Sequence, residues 1–587
     1  MTVRRAAAVL LVAAVSVVLL ASPASAHATL LQSDPAPGAV LARSPSAIAL
    51  RFDSPVSAAL GAVRVYDRGG SRVDTGGTEV RGPVVRLRVS GLAKGSYVVT
   101  WRVTSADTHP VAGAFTFQVG NTGNASSPAA RRLAQRLLAQ QGGDPVVGVA
   151  YGVARWLVFA GLALLLGAVA FALAVWPGAR TSTRARGLLV GAWVVLVIGT
   201  VAGLFLYGPY AAGLALGDAI HLSLLSHTVT IRFGQVALAR LVLLVAALPV
   251  LYAATVPAGQ VTRRLARVVV PLAVLVGVAL AATPGYAGHA VTGRWVTLAI
   301  VADTLHVLAV GVWLGGLVLL GAVLLPGRGV AQLREALPRW SRVATACLAV
   351  IVATGTFQAW RQVGSLGELR STDYGRLLIV KVIVFAGMVV LASFSREIVV
   401  HLFPASRFGS RRAVPIVAGG ADDSANGEPG AAQEARTLRT LRRSVWVEIA
   451  AGGAVLAVTA LLVNAPPSRS DAASGRTANL VETTLRSSGL SVDVLFTPGR
   501  AGANDLHVSV LTSSGKPKTV QDLRLTLDLA ARKIPPLVVP LTPLGTGHYL
   551  ASGFTIPLSG SWRVTARPLL SQFDERTLTA TVDLGNP

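Results

Sequence analysis

The sequence predicts a multidomain membrane protein in which an N-terminal all-β Greek-key sandwich or barrel, an eight-helix transmembrane bundle and a C-terminal all-β sandwich follow one another. The chain of 587 residues is 52% hydrophobic and 14% charged, whereas soluble domains average about 25% charged residues. Its middle part contains apolar stretches that are long enough to cross a bilayer. On both sides of that part, apolar and polar residues alternate with the period of two that is typical of strands.

The first 26 residues have the features of a secretory signal peptide. Two arginines precede an uncharged apolar run, and Ala24 and Ala26 place small residues where a signal peptidase cleaves. Cleavage after Ala26 would leave His27 at the start of the mature chain, with a free α-amine beside its imidazole. We expect these two groups to be able to bind one metal ion together.

Residues 27–120 are predicted to form the first β domain. Its runs, such as AIALRFD and SYVVTWRVTS, alternate in polarity and are separated by turns rich in Gly, Pro, Ser and Asp. A polar linker is predicted at 121–144 and a membrane domain at 145–464. Residues 465–587 return to alternation, as in LSVDVLF and DLRLTLDL, and predict the second sandwich.

Eight apolar stretches of the middle part are expected to cross the membrane. We place them near 148–176, 187–207, 232–256, 268–283, 296–325, 343–360, 377–403 and 444–464.

The arginines predict the orientation of these spans. They are concentrated in the loops expected to be cytoplasmic, for example at Arg180, Arg263 and Arg328, although the third outer loop also carries Arg361 and two other arginines. This positive-inside bias predicts a multi-pass plasma-membrane protein with both β domains extracytoplasmic. Because topology accounts for much of the net charge of +26, the predicted partner is the lipid bilayer and no nucleic acid is expected. The sequence indicates no protein partner.

Asp107 and His109 are the candidate metal ligands of the first β domain, in the segment SADTHPVAGAFTF. Alternate residues on an extended strand or strand end project to one side. Together with His27, they would offer nitrogen and oxygen donors that suit Cu(II), with Zn(II) as a competitor. The alternative is a turn-capping Asp beside a surface His. The single cysteine and two methionines argue against a thiolate cluster or a Met-rich Cu(I) conduit.

Two segments of this domain, HATLLQSDPAPGAVL and WRVTSADTHPVAGAFTFQV, resemble the periplasmic copper-binding family CopC. The resemblance implies that His27, with its amine, and Asp107 and His109 bind Cu(II). An N-terminal His also occurs in the copper brace of oxidative polysaccharide-cleaving enzymes. Those domains are usually much larger, and the carboxylate here would help fill the oxygen-binding position, so storage or delivery is the better interpretation.

The membrane part resembles CopD, the integral-membrane partner of CopC. The similarity lies in segments such as GHAVTGRWVTLAIVADTLHVLAVGVWLGGLVLL and STDYGRLLIVKV. The whole chain therefore resembles a CopC–CopD fusion with an added C-terminal sandwich. This resemblance implies that copper captured outside is imported across the plasma membrane.

The fifth apolar stretch carries Asp303 and His306, which share a helix face because they are three residues apart. Ionisable residues in hydrocarbon are costly and are functional candidates by default. With His289 in the preceding outer loop, they predict a transport pathway from His289 to Asp303 to His306. The alternative is that the pair joins neighbouring helices structurally.

Other histidines are weaker candidates. His221 and His227 lie in an outer loop and could gather metal, although their spacing of six residues is more typical of surface histidines. His507 and His548 in the last domain are predicted not to be ligands.

The sequence thus predicts a non-enzymatic copper importer with no Walker-type phosphate loop. One alternative is a membrane redox protein, either haem-bearing or a cupric reductase. Bis-His haem needs two histidines at one depth, and His306 is the one histidine expected near the midplane. The other alternative is copper sequestration for resistance, but an anchor would need one span instead of eight.

Overall fold

The structure is a computed structural model, and it describes residues 28, 30–61, 63–74, 76–120, 128–141, 143–255, 263–292, 295–363, 368–403, 427–465, 481–497, 499–513, 517–529, 532, 534–545 and 547–585. The predicted signal peptide and His27 lie outside these residues.

The N-terminal domain is a two-sheet β structure, which confirms the predicted class. One sheet has the strand order β1-β3-β7-β6, and the other has the order β2-β9-β8-β4 with β5 paired to β8. Alternate apolar residues such as Ile48, Leu50, Val99 and Phe117 are buried between the sheets. The strands are β1 Leu30–Asp34, β2 Val40–Leu41, β3 Ala47–Phe52, β4 Val56–Ser57, β5 Val63–Tyr66, β6 Thr78–Arg81, β7 Val84–Arg88, β8 Gly95–Ser105 and β9 Pro110–Val119.

A helix, α1, occupies Pro128–Gln140 within the segment predicted as a linker. Ala130, Leu133 and Ala134 are buried on one face of α1, where they pack with Val98 and Ala114 of the β8–β9 hairpin. Spacings of three and four residues place these small and apolar side chains on the same helix face. The packing of the N-terminal domain therefore extends beyond residue 120.

Eight helices of the described residues are long and apolar enough to span a membrane, as the sequence predicts. Spans 1 to 8 are Pro145–Val175, Thr183–Ala212, Arg232–Ala253, Arg267–Tyr286, Val296–Leu324, Ala336–Gln362, Asp373–Leu402 and Gln433–Asn464. Short helices at Leu222–Thr230, Val330–Leu333 and Glu368–Ser371 and 3₁₀ turns at Pro177–Thr181, Leu216–Ile220 and His289–Val291 lie in the connections.

Spans 1 and 5 pack closely at the centre of the bundle. A Cβ on Gly167 would lie 2.4 Å from the Cα of Gly315, so neither residue leaves room for a larger side chain. Small residues allow helix backbones to approach one another in a membrane, where the hydrophobic effect does not drive helix association. This contact holds span 5, the span with Asp303 and His306, firmly in the bundle.

The C-terminal domain is a second two-sheet structure, again as predicted. Its sheets have the orders β10-β11-β12-β16-β15 and β14-β13-β17-β18, with β19 paired to β17, and they bury Phe496, Leu525 and Trp562 between them. The strands are β10 Val481–Ser487, β11 Leu490–Thr497, β12 Gly502–Thr512, β13 Asp522–Leu529, β14 Ile534–Val539, β15 Thr542–Gly545, β16 His548–Ile556, β17 Gly560–Ser571, β18 Asp574–Glu575 and β19 Leu578–Leu584.

The N-terminal domain is docked on the membrane domain through Arg102 of β8. Its guanidinium donates to the carbonyl oxygens of Ala211 at 2.5 Å and Tyr210 at 3.0 Å, and also to that of Gln141. Ala211 and Tyr210 lie in the last turn of span 2, where carbonyl groups have no partner within the helix and a cation is favoured by the helix dipole. Strand β1 also contacts β15, so both β domains lie on the same side of the bundle.

Candidate metal centre

The turn between β8 and β9 places Asp107 and His109 against the membrane domain. Both residues lie in the hairpin turn instead of on an extended strand, and Thr108 between them has a φ of 70°, which is rare for a β-branched residue. The hydroxyl of Thr108 donates to the carbonyl of Ala287 at 2.8 Å, and Tyr207 donates to the carbonyl of Thr108 at 2.9 Å. Contacts with spans 2 and 4 therefore hold the turn in its unusual conformation.

Asp107, His109 and His289 form the candidate metal centre, called the metal centre below, in which one potential ligand atom from each residue lies within 4.8 Å of the other two. His289 Nδ1 is 3.1 Å from Asp107 Oδ2, and His109 Nδ1 is 3.5 Å from Asp107 Oδ1. The two imidazole rings stack with their centroids 4.7 Å apart. The structure thus brings His289, which the sequence places at the mouth of the pathway, into the same cluster as the two ligands of the β domain.

Both ring nitrogens of His109 face backbone carbonyl oxygens. His109 Nε2 is 2.7 Å from the carbonyl oxygen of Val463 at the end of span 8, and Nδ1 is 3.1 Å from the carbonyl oxygen of Asp107. A carbonyl oxygen can only accept, and a neutral imidazole has one N–H, so the neutral ring donates to one of the two. When it donates to Val463, Nδ1 holds the lone pair on the side of Asp107. A backbone carbonyl that accepts from the ring nitrogen remote from the metal is typical of metal-ligating histidines.

The metal centre is buried, with 0%, 3% and 8% of Asp107, His109 and His289 exposed. Ser105 donates a hydrogen bond to Oδ1 of Asp107. A carboxylate removed from water requires a compensating positive charge or hydrogen bonds, and two imidazoles with a carboxylate can supply three donors to a borderline divalent cation. The cluster is therefore suited to hold a cation, either a metal ion or a proton shared with the rings.

Comparison with known families identifies both parts of this centre. Residues 30–120 match the CopC domain family. Residues 146–297 match the copper resistance protein D-like N-terminal domain, and residues 334–462 match copper resistance protein D. The chain is a CopC–CopD fusion. It is accordingly a copper-handling, multi-pass membrane protein with a copper-binding CopC domain.

The chain is also similar to individual proteins. The chain is 26% identical over 579 residues to the copper transport protein CutJ of Bacillus subtilis, covering 95% of this chain and 96% of CutJ. A solved CopC structure from Methylosinus trichosporium OB3b is 33% identical over 16% of this chain and 93% of its own, with a TM-score of 0.15. The methionine-rich copper resistance protein PcoC of Escherichia coli is 24% identical over 16% of this chain and 98% of its own, with a TM-score of 0.15.

His27, the third ligand predicted for the CopC domain, lies outside the described residues. The adjacent Ala28 is 2% exposed and belongs to the core of the CopC domain. The participation of His27 in copper binding stays a prediction.

Within the CopD region, Asp303 contacts other helices instead of His306. Its Oδ2 would be 2.7 Å from a Cβ on Gly285, so the absence of a side chain at Gly285 lets the carboxylate approach the backbone of span 4. Lys381 of span 7 and Arg361 of span 6 are its charged neighbours, and Arg361 also donates to the carbonyl of Thr292 at 2.6 Å. The carboxylate thus interacts electrostatically with cationic side chains of spans 6 and 7.

His306 contacts span 6 through Thr354. His306 Nδ1 is 2.9 Å from the Thr354 hydroxyl oxygen, and this hydroxyl is 2.6 Å from the carbonyl of Val350 on its own helix. Because the single hydroxyl hydrogen goes to the carbonyl, His306 Nδ1 must be the donor to Thr354. In the neutral ring, Nε2 then holds the lone pair and is the nitrogen suited to bind a cation.

Several structural partners were not evident from the sequence. Lys381 interacts electrostatically with Asp303, and Glu448 accepts a hydrogen bond of 2.5 Å from Ser395. His221 is exposed and lies 3.4 Å from Asp218, while His507 and His548 contact each other. The contact between His507 and His548 depends on the register of β12 and β16, which the sequence alone does not give.

Proposed function

We propose that the CopC domain captures Cu(II) and passes it to the CopD region, which carries copper inward across the plasma membrane. One observation carries this proposal. Asp107 and His109 belong to the CopC domain and His289 belongs to the CopD region, yet their ligand atoms lie within 4.8 Å of one another. A single copper ion can therefore be bound by the capturing domain and by the membrane domain at the same time.

Transfer at such a shared site is a ligand exchange and requires no catalytic chemistry. Copper held by His27, Asp107 and His109 would gain His289 as a ligand before it loses the amine and imidazole of His27. Nitrogen and carboxylate donors favour Cu(II) over Cu(I). The protein is accordingly proposed to be a transporter and not an enzyme.

The proposed pathway continues from His289 to Asp303 and His306. Span 4 connects these residues, since Gly285 contacts Asp303 and Ala287 contacts the CopC turn. Beside Asp303, Lys381 and Arg361 repel an approaching cation. Copper must therefore compete with Lys381 for the carboxylate, which would make this position a barrier that opens when the lysine moves or loses its proton.

The inward direction is supported by the family resemblance, and the name of CutJ as a copper transport protein supports transport. The arginine-rich loops support a cytoplasmic location for the ends of the spans that are remote from the two β domains. Both β domains would then be extracytoplasmic, where external copper is available.

The test is the copper content of cells that express the wild-type chain, His289→Ala or Asp107→Ala, measured at low and high external copper and normalised to the protein in the membrane. Import predicts that the wild type raises cellular copper and that both variants return it to the level of cells without the gene. His221→Ala is the control, because His221 is exposed and lies outside the metal centre; it should transport normally.

Two results would contradict this proposal. Lower cellular copper in wild-type cells would indicate export, and an increase that survives in His289→Ala would indicate that copper does not use the shared site. A visible haem spectrum in the purified protein would instead support the redox alternative.

A further inference from the structure

The C-terminal sandwich carries a pair of histidines away from its hydrophobic core. His507 lies on β12 and His548 on β16, and the register pairs Ser509 with His548 and His507 with Leu550. The two histidines are therefore diagonal neighbours on one face of the sheet. Leu506 and Val508, which alternate with His507, belong to the buried core on the opposite face.

The ring nitrogens of this pair have the separation of two ligands on one metal ion. His507 Nδ1 is 3.2 Å from His548 Nε2, and the ring planes are inclined by 74°. With metal–nitrogen bonds of about 2.0–2.1 Å, nitrogens 3.2 Å apart subtend an angle of about 100–106° at the ion. This angle lies within the range of four-coordinate sites, so the pair needs little rearrangement to bind a metal.

The rings are also in the protonation state that ligands require. Burial lowers the pKa of His507 and of His548 to about 4, so both rings are neutral at neutral pH. A neutral imidazole can offer a lone pair without first losing a proton.

Two carboxylates lie on the same face of the sheet as the pair. Asp493 of β11 is opposite Ser509 and is therefore a diagonal neighbour of His507 on the same face. It is 5% exposed, as expected for a side chain that is covered instead of solvated. Asp505 lies on the same strand face, but its carboxylate accepts a hydrogen bond from the backbone of Gly553 at 2.7 Å.

We propose that His507 and His548 form a second metal site, distinct from the Asp107–His109–His289 centre. Two imidazoles suit a divalent ion of the copper and zinc class, and the general order of stability favours Cu(II). The site belongs to the sheet whose edge strand β15 contacts β1 of the CopC domain. It would hold a copper ion outside the membrane, on the same side as the first centre.

The test uses the full-length protein in detergent, with bound Cu(II) counted by equilibrium dialysis and elemental analysis. His507→Gln and His548→Gln should each lose one bound ion per chain relative to the wild type and retain the ion of the first centre. Asp107→Ala with His109→Ala should lose the other ion and retain this one. His221→Gln with His227→Gln, which removes two histidines of an outer loop, should lose none.

An unchanged copper count in either His507→Gln or His548→Gln would overturn the proposal. Should these variants fail to fold, the chain with Asp107→Ala and His109→Ala decides the question, because it keeps both histidines of the sandwich. Its Cu(II) EPR spectrum should show coupling to imidazole nitrogens, and this spectrum should be the same with and without an added residue before His27. A spectrum that changes when one residue is added before His27 assigns the copper to the N-terminus and rejects the second site.

Discussion

Asp107 is the residue on which the candidate metal centre depends, because both histidines approach its carboxylate. Its two oxygens lie 3.1 Å from His289 and 3.5 Å from His109, and the carboxylate is fully buried. Removing it leaves two stacked imidazoles without the negative charge that favours a cation beside them. Removing His289 instead leaves the buried carboxylate with one of its two imidazole partners, which is expected to weaken copper binding without unfolding the CopC domain.

The start of the mature chain allows a test at the level of one chemical group. Extending the mature protein by one residue before His27 converts the α-amine into an amide, which is a poor ligand. We expect Cu(II) binding to weaken by at least roughly tenfold, a loss comparable to that for disturbing a supporting ligand interaction. A competition titration measures this change, and circular dichroism checks that the domain remains folded.

The same titration should depend on pH. Nitrogen ligands must be deprotonated to bind metal, so the affinity of the unmodified chain should fall as the pH decreases. An extended chain with the affinity of the unmodified one would remove the amine from the site.

At the scale of single residues, the sequence predicts which side chains are candidate ligands but not which of them contact one another. The segment from Asp107 to His109 identifies two ligands from their type and spacing. The positive φ of Thr108 and its contacts with Ala287 and Tyr207 depend on docking against the membrane domain. For the same reason, the contact of His289 with Asp107, separated by 182 residues, could not be inferred from local pattern.

Span 5 is the element that connects the metal centre to the interior of the membrane domain. Asp303 interacts with spans 4, 6 and 7, whereas His306 interacts with span 6. Arg361 in the third outer loop departs from the positive-inside pattern, and its positions beside Asp303 and against the carbonyl of Thr292 explain the departure. Its charge serves a local interaction, so it carries no information on topology.

We expect Asp303→Asn and His306→Gln each to abolish copper accumulation while the protein still inserts into the membrane. Amides can replace hydrogen bonds worth on the order of 0.6 kcal/mol. They cannot replace the negative charge of Asp303 that interacts with Lys381, or the Nε2 atom of His306, which is not engaged by Thr354. Copper uptake, normalised to membrane protein, measures the effect. Cu(II) binding to the metal centre should persist in both variants.

Thr304→Val is the matched control for span 5. The hydroxyl of Thr304 donates to the carbonyl of Ile300 on its own helix at 2.8 Å, so its removal should leave uptake unchanged. Wild-type uptake in both Asp303→Asn and His306→Gln would reject the pathway along this helix. Loss of the protein from the membrane would instead favour a structural role for the pair.

The elements themselves were largely predictable because their patterns are long and regular. Eight apolar stretches gave the eight spans, most of them within about five residues, as at Val296–Leu324, although spans 6 and 8 begin 7 and 11 residues earlier than predicted. Alternation gave both β domains. Helix α1 was less evident, because Arg131, Arg132 and Arg136 make the segment resemble a polar linker. Its short apolar face is buried only because the β8–β9 hairpin packs against it, and this packing is a tertiary contact that the local pattern does not show.

At the scale of the whole molecule, the two β domains lie on one side of the bundle, and the stability of the C-terminal domain depends on pH through two buried histidines. In the C-terminal sandwich, burial lowers the pKa of His507 and His548 from 6.5 to about 4. The unfolded chain therefore takes up protons below about pH 6.5 that the folded domain does not accept. The stability of this domain is fully present above that pH and decreases as the pH falls toward 4.

Calorimetry of the full-length, metal-free protein should detect this dependence. Between pH 6.5 and 4, each histidine contributes a loss of up to about 1.4 kcal/mol per pH unit. We expect the transition of the C-terminal domain to move to lower temperature on acidification in the wild type. In His507→Gln combined with His548→Gln, the same transition should change less; an equal shift in both proteins would show that other groups cause it.

Under the proposed transfer of copper from the CopC domain to the CopD region, the attachment of Arg102 to the end of span 2 would set the kinetic order of delivery. A separate copper carrier must meet its membrane partner by diffusion, so its delivery rate rises with the concentration of the carrier. Here the donor ligands Asp107 and His109 already contact the acceptor His289 within one chain, and the encounter is intramolecular. Copper transfer should therefore be first order in loaded protein, and adding free CopC domain to the medium should not accelerate it.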